Sequence, residues 1–381
     1  VGPSAAAAAV APVADVGIRE FLVKDGAEFL RLGLPTSLPE ASDPETLGDV
    51  GRAAQESIEL VRLRLEQVGF SGRGPVWNAC LKEVNRAKTL LDSPDLFRPV
   101  STFDGKKSFS PDRQRQTALL DATRTSLTNL EAAVRKQDID AVRKYQDAAG
   151  TSLGELRELS VPRDALPFAV PDEFKDLPQL RGRATLTCEI AKGGKGEFER
   201  EDGTRAKTVT LKMVVDGYRA PLTAGNFVDL ARRNYYDNLP IESTDDITAY
   251  VGKSADAFVD PKTKQPRLLP LEIFYKKDKA PTYSYTSDDD QRATESFALP
   301  FQSYGALGMA HDPEDVNTAS SKFWFLKWDQ SLVPPGRNTL DGSSACFGYV
   351  VEHQELLSQL SRGDSIVAIR VVDGLDNLHV P

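Results

Sequence analysis

The stretch VPRDALPFAVPDEFKDLP (161–178), followed by RATLTCEI (183–190) and KTVTLKMVVDG (207–217), is where this sequence changes its period. Four prolines in 18 residues remove backbone donors and hold the residues before them extended, so the first segment reads as a linker. Beyond it, β-branched residues alternate with polar ones, the pattern of two paired strands. The polar run GGKGEFEREDGT (193–204) between them is hairpin-loop chemistry, and its glycines are too few and too poorly placed to cradle a phosphate. APLTAGNFVDLARRNYYD (220–237) then reads as a helix with Phe227, Leu230 and Ala231 on one stripe. Short strands are expected again at 247–251, 345–351 and 365–372. The C-terminal part is therefore mostly β with one or two helices, arranged as a barrel.

On the other side of the linker the period is helical, from about Val16 to Ser160. GIREFLVKDGAEFLRLG puts Ile18, Phe21, Leu22, Phe29 and Leu30 on one side before PTSLPEASDP stops it. A second helix is expected from about Leu47 to Val68, with Ile58, Val61, Leu65 and Val68 as its stripe. A third, Val76 to Leu91, carries Trp77, Cys80, Leu81, Val84 and Leu91. A fourth opens at Ser110-Pro111-Asp112 and continues through Leu120, Leu127, Leu130 and Val134. A fifth begins at Asp138 and places Ile139, Val142 and Tyr145 on one face before Gly150. Stripes joined by short polar breaks predict an antiparallel helical bundle whose apolar faces are plain core.

The organisation expected is thus a bundle over 16–160, a linker over 161–178 and a barrel over 179–381 with an insertion near 254–300. Residues 1–15 begin VGPSAAAAAVAPVA, which reads either as the tail of a cleavable targeting segment or as a flexible N-terminus. With 381 residues, more than one core is expected. A net charge of −9 argues against a nucleic-acid partner. No apolar run reaches the roughly 18 to 20 residues that span a bilayer, so an integral membrane protein is not expected and any membrane association would be peripheral. Cys80, Cys188 and Cys346 and His311, His353 and His379 are too scattered for a CxxC or HExxH metal site. One disulfide between two of the cysteines is left open. No cofactor and no metal are expected.

Five blocks, in this order, carry a family resemblance: VDGYRAPLTAGNFVDL (215–230), ALGMA (306–310), SSKFWF (320–325), LDG (340–342) and CFGYVVE (346–352). Together they resemble the cyclophilins, peptidyl-prolyl isomerases built on an eight-stranded closed barrel, over roughly residues 180 to 376. The resemblance implies an α+β multidomain chain, an antiparallel helical bundle followed by a cyclophilin-like closed β-barrel with flanking helices. The helical N-terminal part with GAEFLRLGLPTSLPE (26–40), the linker and the insertion resemble the large thylakoid-lumen cyclophilins of plants and algae. That resemblance implies residence in the chloroplast thylakoid lumen and protein clients, lumenal loops of photosystem subunits among them.

Rotation about an X-Pro bond faces a barrier of about 18–20 kcal/mol set by amide resonance. In active cyclophilins an arginine donates near the prolyl nitrogen, a phenylalanine-lined pocket holds the ring, and a glutamine orients the peptide. Here the arginine falls on Ser243, or on Glu242 with the gap moved, and no arginine occurs between Arg233 and Arg267. The phenylalanine falls on Ile247, its methionine neighbour on Thr248 and the glutamine on Tyr250. Ala310 and Leu340 match the pattern and Phe323 keeps the barrel core. His311 stands at the asparagine position, Lys322 at a glutamine, Trp324 at the pocket phenylalanine and Ser344 at the histidine that closes the pocket. A serine is too short and neutral to replace the fixed fork of a guanidinium. No catalytic residue is retained, and the groove reads as degenerate.

The plain readings of these positions are a hydrogen-bonded loop histidine (His311), a tryptophan filling the pocket (Trp324) and a surface charge (Lys322). Asp288-Asp289-Asp290 reads as a solvated loop. The function expected is a lumenal scaffold or assembly chaperone, aiding photosystem assembly or repair, with little or no isomerase activity. The alternatives are a slow peptidyl-prolyl isomerase acting on lumenal clients, or a regulatory contact made by the bundle with a membrane phosphatase or photosystem subunit.

Overall fold

The computed structural model describes residues 25–34, 48–66, 73–93, 100–101, 107–108, 113–159, 161, 166–252, 257–327 and 339–381. Expectations for Ile18, Phe21, Leu22, Val68, the Ser110–Asp112 cap and the first 15 residues lie outside them.

Six helices are described: α1 (Gly26–Leu32), α2 (Gly48–Glu66), α3 (Arg73–Leu91), α4 (Arg113–Lys136), α5 (Ile139–Leu159) and α6 (Pro221–Arg232). Helices α2 to α5 bury the expected stripes in one core of Ile58, Val61, Trp77, Cys80, Val84, Leu91, Leu120, Leu127, Leu130, Val134 and Val142. Ile139 departs from its stripe and is 44% exposed. It is the first residue of α5, beside the cap that Asp138 Oδ1 makes by accepting from the Ala141 N–H at 3.0 Å. Helix α5 also continues through Gly150 to Leu159, longer than the expected stop. The reason is close packing. A Cβ at Gly150 would lie 2.9 Å from Glu59 Oε1, and one at Gly154 would lie 2.9 Å from Arg31 Cγ.

Helix α1 does not join the bundle core. Phe29 and Leu30, expected on a bundle stripe, instead pack on the core of the β part, where Phe29 stacks on Tyr349 at 5.7 Å and 15°. Gly26 allows this approach, because a Cβ there would meet Tyr349 Cβ at 2.4 Å. The orphan carbonyls at the C-terminal end of a helix need donors, and here three arginines supply them. Arg157 of α5 donates to Arg31 O at 2.7 Å, Arg183 to Leu30 O at 2.6 Å and Arg219 to Gly33 O at 3.0 Å. On the bundle side Arg31 Nε donates to Glu59 Oε1 at 2.7 Å, with Gln55 and Gln146 donating to the same buried carboxylate. Helix α1 thus pins the helical and β parts together.

Eight strands form one antiparallel sheet: β1 (Arg183–Ala191), β2 (Thr208–Asp216), β3 (Ile241–Thr244), β4 (Thr248–Val251), β5 (Ala306–Met309), β6 (Phe323–Leu326), β7 (Cys346–Glu352) and β8 (Ser365–Asp373). Their order is β8-β1-β2-β7-β5-β6-β4-β3. The two outermost strands meet, since Ile241 N–H donates to Asp364 O and Ile366 N–H to Leu239 O, each at 2.8 Å. The sheet therefore curls round on itself. Strand β1 alternates buried and half-buried residues from Ala184 to Ala191, the period-2 pattern read from its sequence. Inside lie Phe227 of α6, Tyr236, Phe323, Phe325 and Phe347, with Phe227 edge-on to Phe323 at 5.0 Å. The insertion is described from Ala257 onward and carries a short ladder of Glu272–Ile273 on Thr282–Tyr283. Among the described residues no helix is long and apolar enough to cross a membrane.

Candidate functional site

The outer face of the sheet follows from the inner one. Phe323 and Phe325 point inward to Phe227 and its neighbours, so Trp324 between them points out. The register then lines up four expected positions. Ser243 pairs with Tyr250, Tyr250 with Trp324, and Trp324 with Gly308, so one row crosses β3, β4, β6 and β5 on the same face. Ser243 is exposed, Tyr250 half-buried and Trp324 only 2% exposed.

Trp324 lies flat over Gly308. A Cβ at Gly308 would come within 2.1 Å of the indole, so only glycine admits the ring there. The other face of the pair is Phe301, whose ring stacks on Trp324 at 4.8 Å and 24° and is itself 1% exposed. Tyr250 closes a third side at 6.3 Å. Phe301 is fixed by its backbone: its N–H donates to buried Asp341 Oδ1 at 2.7 Å, and the Pro300 carbonyl accepts from Tyr349 Oη at 2.9 Å. Aromatic surface of this kind, stacked and dry, is worth far more packed than open to water.

The charges beside this row are spent on each other. Lys322 pairs with Glu242 and sits 5.3 Å from the Tyr250 ring centroid. Lys327 donates to Thr244 Oγ1 at 2.6 Å, and burial holds its ammonium below its usual value. Burial likewise pushes the Tyr250 phenol up. Arg233 and Arg267, which bracket the arginine-free interval, both turn to Asp229, at 2.9 and 2.8 Å. Arg267 also reaches Asp260 at 2.7 Å.

The remaining expected positions scatter around the row. Ile247 is 47% exposed at the tip of the β3–β4 turn, one residue before the strand in which it was expected. Asp245 holds that turn by accepting from the Ile247 and Thr248 N–H groups at 2.8 and 2.6 Å. Thr248 is buried as the first residue of β4, bonded to Asp245 of the turn. Ala310 and Leu340 are half-buried against the main core. His311 makes the loop contacts expected of it, with Nδ1 2.8 Å from Asp312 O and Nε2 2.9 Å from Ser343 O. Ser344 lies apart, on a narrow cleft with Arg219, Glu272, Phe297, Phe301 and Asp341. The three cysteines are buried and free, and burial pushes the Cys80 thiol up to about 11 and those of Cys188 and Cys346 higher still.

Sequence reasoning missed Phe301 and Gly308. For Gly308 a signal was present: it is the one residue in ALGMA without a side chain, and it faces the one tryptophan in SSKFWF. Glu242 was weighed as a stand-in for the arginine and is instead the counter-ion of Lys322.

Residues 204–373 match the family described as cyclophilin type peptidyl-prolyl cis-trans isomerase/CLD. A Synechocystis protein named as a thylakoid lumen peptidyl-prolyl cis-trans isomerase is 37% identical over 363 residues, 93% of this chain and 84% of the relative. The chloroplastic peptidyl-prolyl cis-trans isomerase CYP38 of Arabidopsis thaliana is 33% identical over 267 residues, 69% of this chain and 59% of the relative. The crystal structure of a Cryptosporidium parvum cyclophilin type peptidyl-prolyl cis-trans isomerase superposes with a TM-score of 0.33 at 16% identity, covering 50% of this chain and 98% of that one.

Proposed function

The chain belongs to the cyclophilin-type peptidyl-prolyl cis-trans isomerase family, and from that premise we propose that it is a client-binding scaffold or assembly chaperone of the thylakoid lumen with little or no isomerase activity. The compartment is supported by the names of the two relatives, one of the thylakoid lumen and one chloroplastic. In this reading the clients are lumenal protein segments, loops of photosystem subunits among them, and the work is assembly or repair.

One observation carries the loss of chemistry. Among the described residues no guanidinium faces the groove along the row Ser243–Tyr250–Trp324–Gly308, and the two arginines that bracket the interval in sequence are held by Asp229. Lowering the barrier requires a donor that binds the twisted amide better than the planar one. A serine hydroxyl lacks both the charge and the reach. Trp324 and Phe301 fill the apolar pocket with the chain's own rings, so a client's proline ring has to displace them or bind beside them. The groove positions Ser243, Ile247, Tyr250 and Lys322 then form a contact surface rather than a reaction centre, on a chain divided into bundle and barrel by the linker at 161–178.

The test is a prolyl isomerisation assay on the full chain beside Ser243→Arg. The expected outcome is a rate equal to the uncatalysed one for the unmodified chain, and no more than a marginal gain for the variant, since the pocket stays filled. Clear turnover by the unmodified chain overturns the scaffold reading in favour of a slow isomerase.

A further inference from the structure

The C-terminal end of α1 draws three guanidinium groups onto one short stretch of backbone: Arg183 on Leu30 O, Arg157 on Arg31 O and Arg219 on Gly33 O. Capping explains the hydrogen bonds, because orphan carbonyls at a helix end need donors. It does not explain the charge. A carbonyl takes a single N–H, whereas a guanidinium brings a fork of them and a full positive charge.

Two arginines of this corner have counter-ions. Arg183 reaches Asp216 Oδ2 through Nε at 3.1 Å and Nη2 at 2.7 Å, and Arg31 reaches Glu59 at 2.7 Å. Arg157 has none. It is 4% exposed, and among the described residues its one hydrogen bond runs from Nη1 to Arg31 O, with no carboxylate at ion-pair distance. The charged groups that bear on it are Arg183 and Arg52, which repel it, and Glu56 and Glu59, which attract it. Of the two carboxylates, Glu59 is already taken by Arg31, Gln55 and Gln146. Glu158, the next residue along α5, bears on Arg183 instead. Burial, and after it the like charges of Arg183 and Arg52, hold the Arg157 guanidinium down at about 10. A buried charge without a counter-ion is unfavourable, and this one is ringed by its own sign.

We propose that the corner between α1, α2, α5 and β1 is a binding site for a small tetrahedral dianion of the phosphate class, with Arg157 as its buried donor, Arg183 beside it and Arg52 at its mouth. The rest of the Arg157 fork, beyond the N–H on Arg31 O, is available to phosphate oxygens, as is the Nη1 group of Arg183, which bonds neither Asp216 nor Leu30 O among the described residues. Arg52 is exposed near the start of α2 and marks the path from solvent. With Arg157 so deeply buried, the fitting ligand is a free ion and not a phosphoryl group carried on a chain. Arg157 belongs to the bundle and Arg183 to the barrel, so the bound ion ties the two parts together and stabilises their docked arrangement by mass action. The site uses none of the groove residues and holds or fails independently of the scaffold reading.

The experiment titrates inorganic phosphate into the full chain and follows its urea midpoint, against sodium chloride at matched ionic strength, with calorimetric titration of the folded chain as a direct reading of affinity. Phosphate also stabilises proteins by exclusion from their surfaces, but that effect grows without saturating and does not single out one arginine. In the parent the midpoint is expected to rise with phosphate and to saturate. Arg157→Gln loses the saturating part. Arg52→Gln, a change at an exposed position that does not endanger the fold, binds phosphate about tenfold more weakly. Arg135→Gln, on the exposed side of α4 beside Glu131, responds as the parent does. A parent that does not respond, a rise that never saturates, or Arg157→Gln and Arg52→Gln variants that keep the parent's affinity each overturn the site.

Discussion

The junction around α1 and the groove around Trp324 both bury chemistry that water would prefer to keep, and they solve the problem in opposite ways. At the junction the answer is charge paired with charge and with backbone carbonyls. Arg183 holds Asp216 at 2.7 Å and the Leu30 carbonyl at 2.6 Å, and Arg31 holds Glu59 while Arg157 caps its carbonyl. At the groove the answer is shape. A glycine, a tryptophan and a phenylalanine stack into one another, with the Lys322–Glu242 pair at the partly exposed margin. The lesson is that arginines have not been lost from this chain in general. At the junction they are turned to backbone carbonyls and carboxylates, and none stands in the row Ser243–Tyr250–Trp324–Gly308.

The comparison breaks most sharply at Arg183. Replacing it by methionine leaves the Asp216 carboxylate, which is fully buried, without its cationic partner and the Leu30 carbonyl without the Arg183 donor. Removing one partner of a buried pair costs about 3–5 kcal/mol, so Arg183→Met is expected to lower the denaturation midpoint severely and to release α1 from the barrel. Unfolding in urea, followed by far-ultraviolet circular dichroism, checks it; a loss below 1 kcal/mol would show that the junction is not held by its charges.

The groove half of the comparison predicts a smaller effect of a different kind. Gly308→Ala places a methyl where the indole of Trp324 lies, at 2.1 Å. Overpacking of this sort costs about 1–3 kcal/mol, and the ring has to swing outward, so tryptophan emission is expected to shift to the red. An unshifted spectrum at unchanged stability would mean that the ring is not held on Gly308. Smallest of all is Glu242→Gln. Its partner Lys322 and Glu242 itself are 25% and 31% exposed in their side chains. Pairs with that much access to water contribute about 0–1 kcal/mol; thermal denaturation at low and high salt reads the difference.

Much of this architecture was legible before any coordinates. The stripes of α2 to α4, the alternation of β1 and β2 and the five spaced blocks each report a local rule, 3.6-residue or 2-residue periodicity, that packing then obeys. The misplacements have a common cause. Phe29 and Leu30 carry an apolar spacing that fits a bundle as well as a barrel, and nothing in a helix's own period says which neighbour it will meet. Gly150 reads as a helix stop in isolation, yet it and Gly154 are the points where Arg31 and Glu59 approach the α5 backbone. Within the groove, the absence of any arginine between Arg233 and Arg267 is readable from order alone. The filling of the pocket is not, because Phe301 reaches Trp324 from a segment that no spacing relates to SSKFWF.

By itself, then, the sequence determined the helical and β halves, the paired strands at 183–190 and 207–217 and the family, since each depends on residue type at a local or ordered position. Only the tertiary structure decided that α1 belongs between the halves, that Glu272 caps a helix 50 residues away and that Phe301 lies on Trp324. Those are contacts between distant segments, chosen by burial and by the need to satisfy every polar group once buried, and neither condition is written in the period of any one of them.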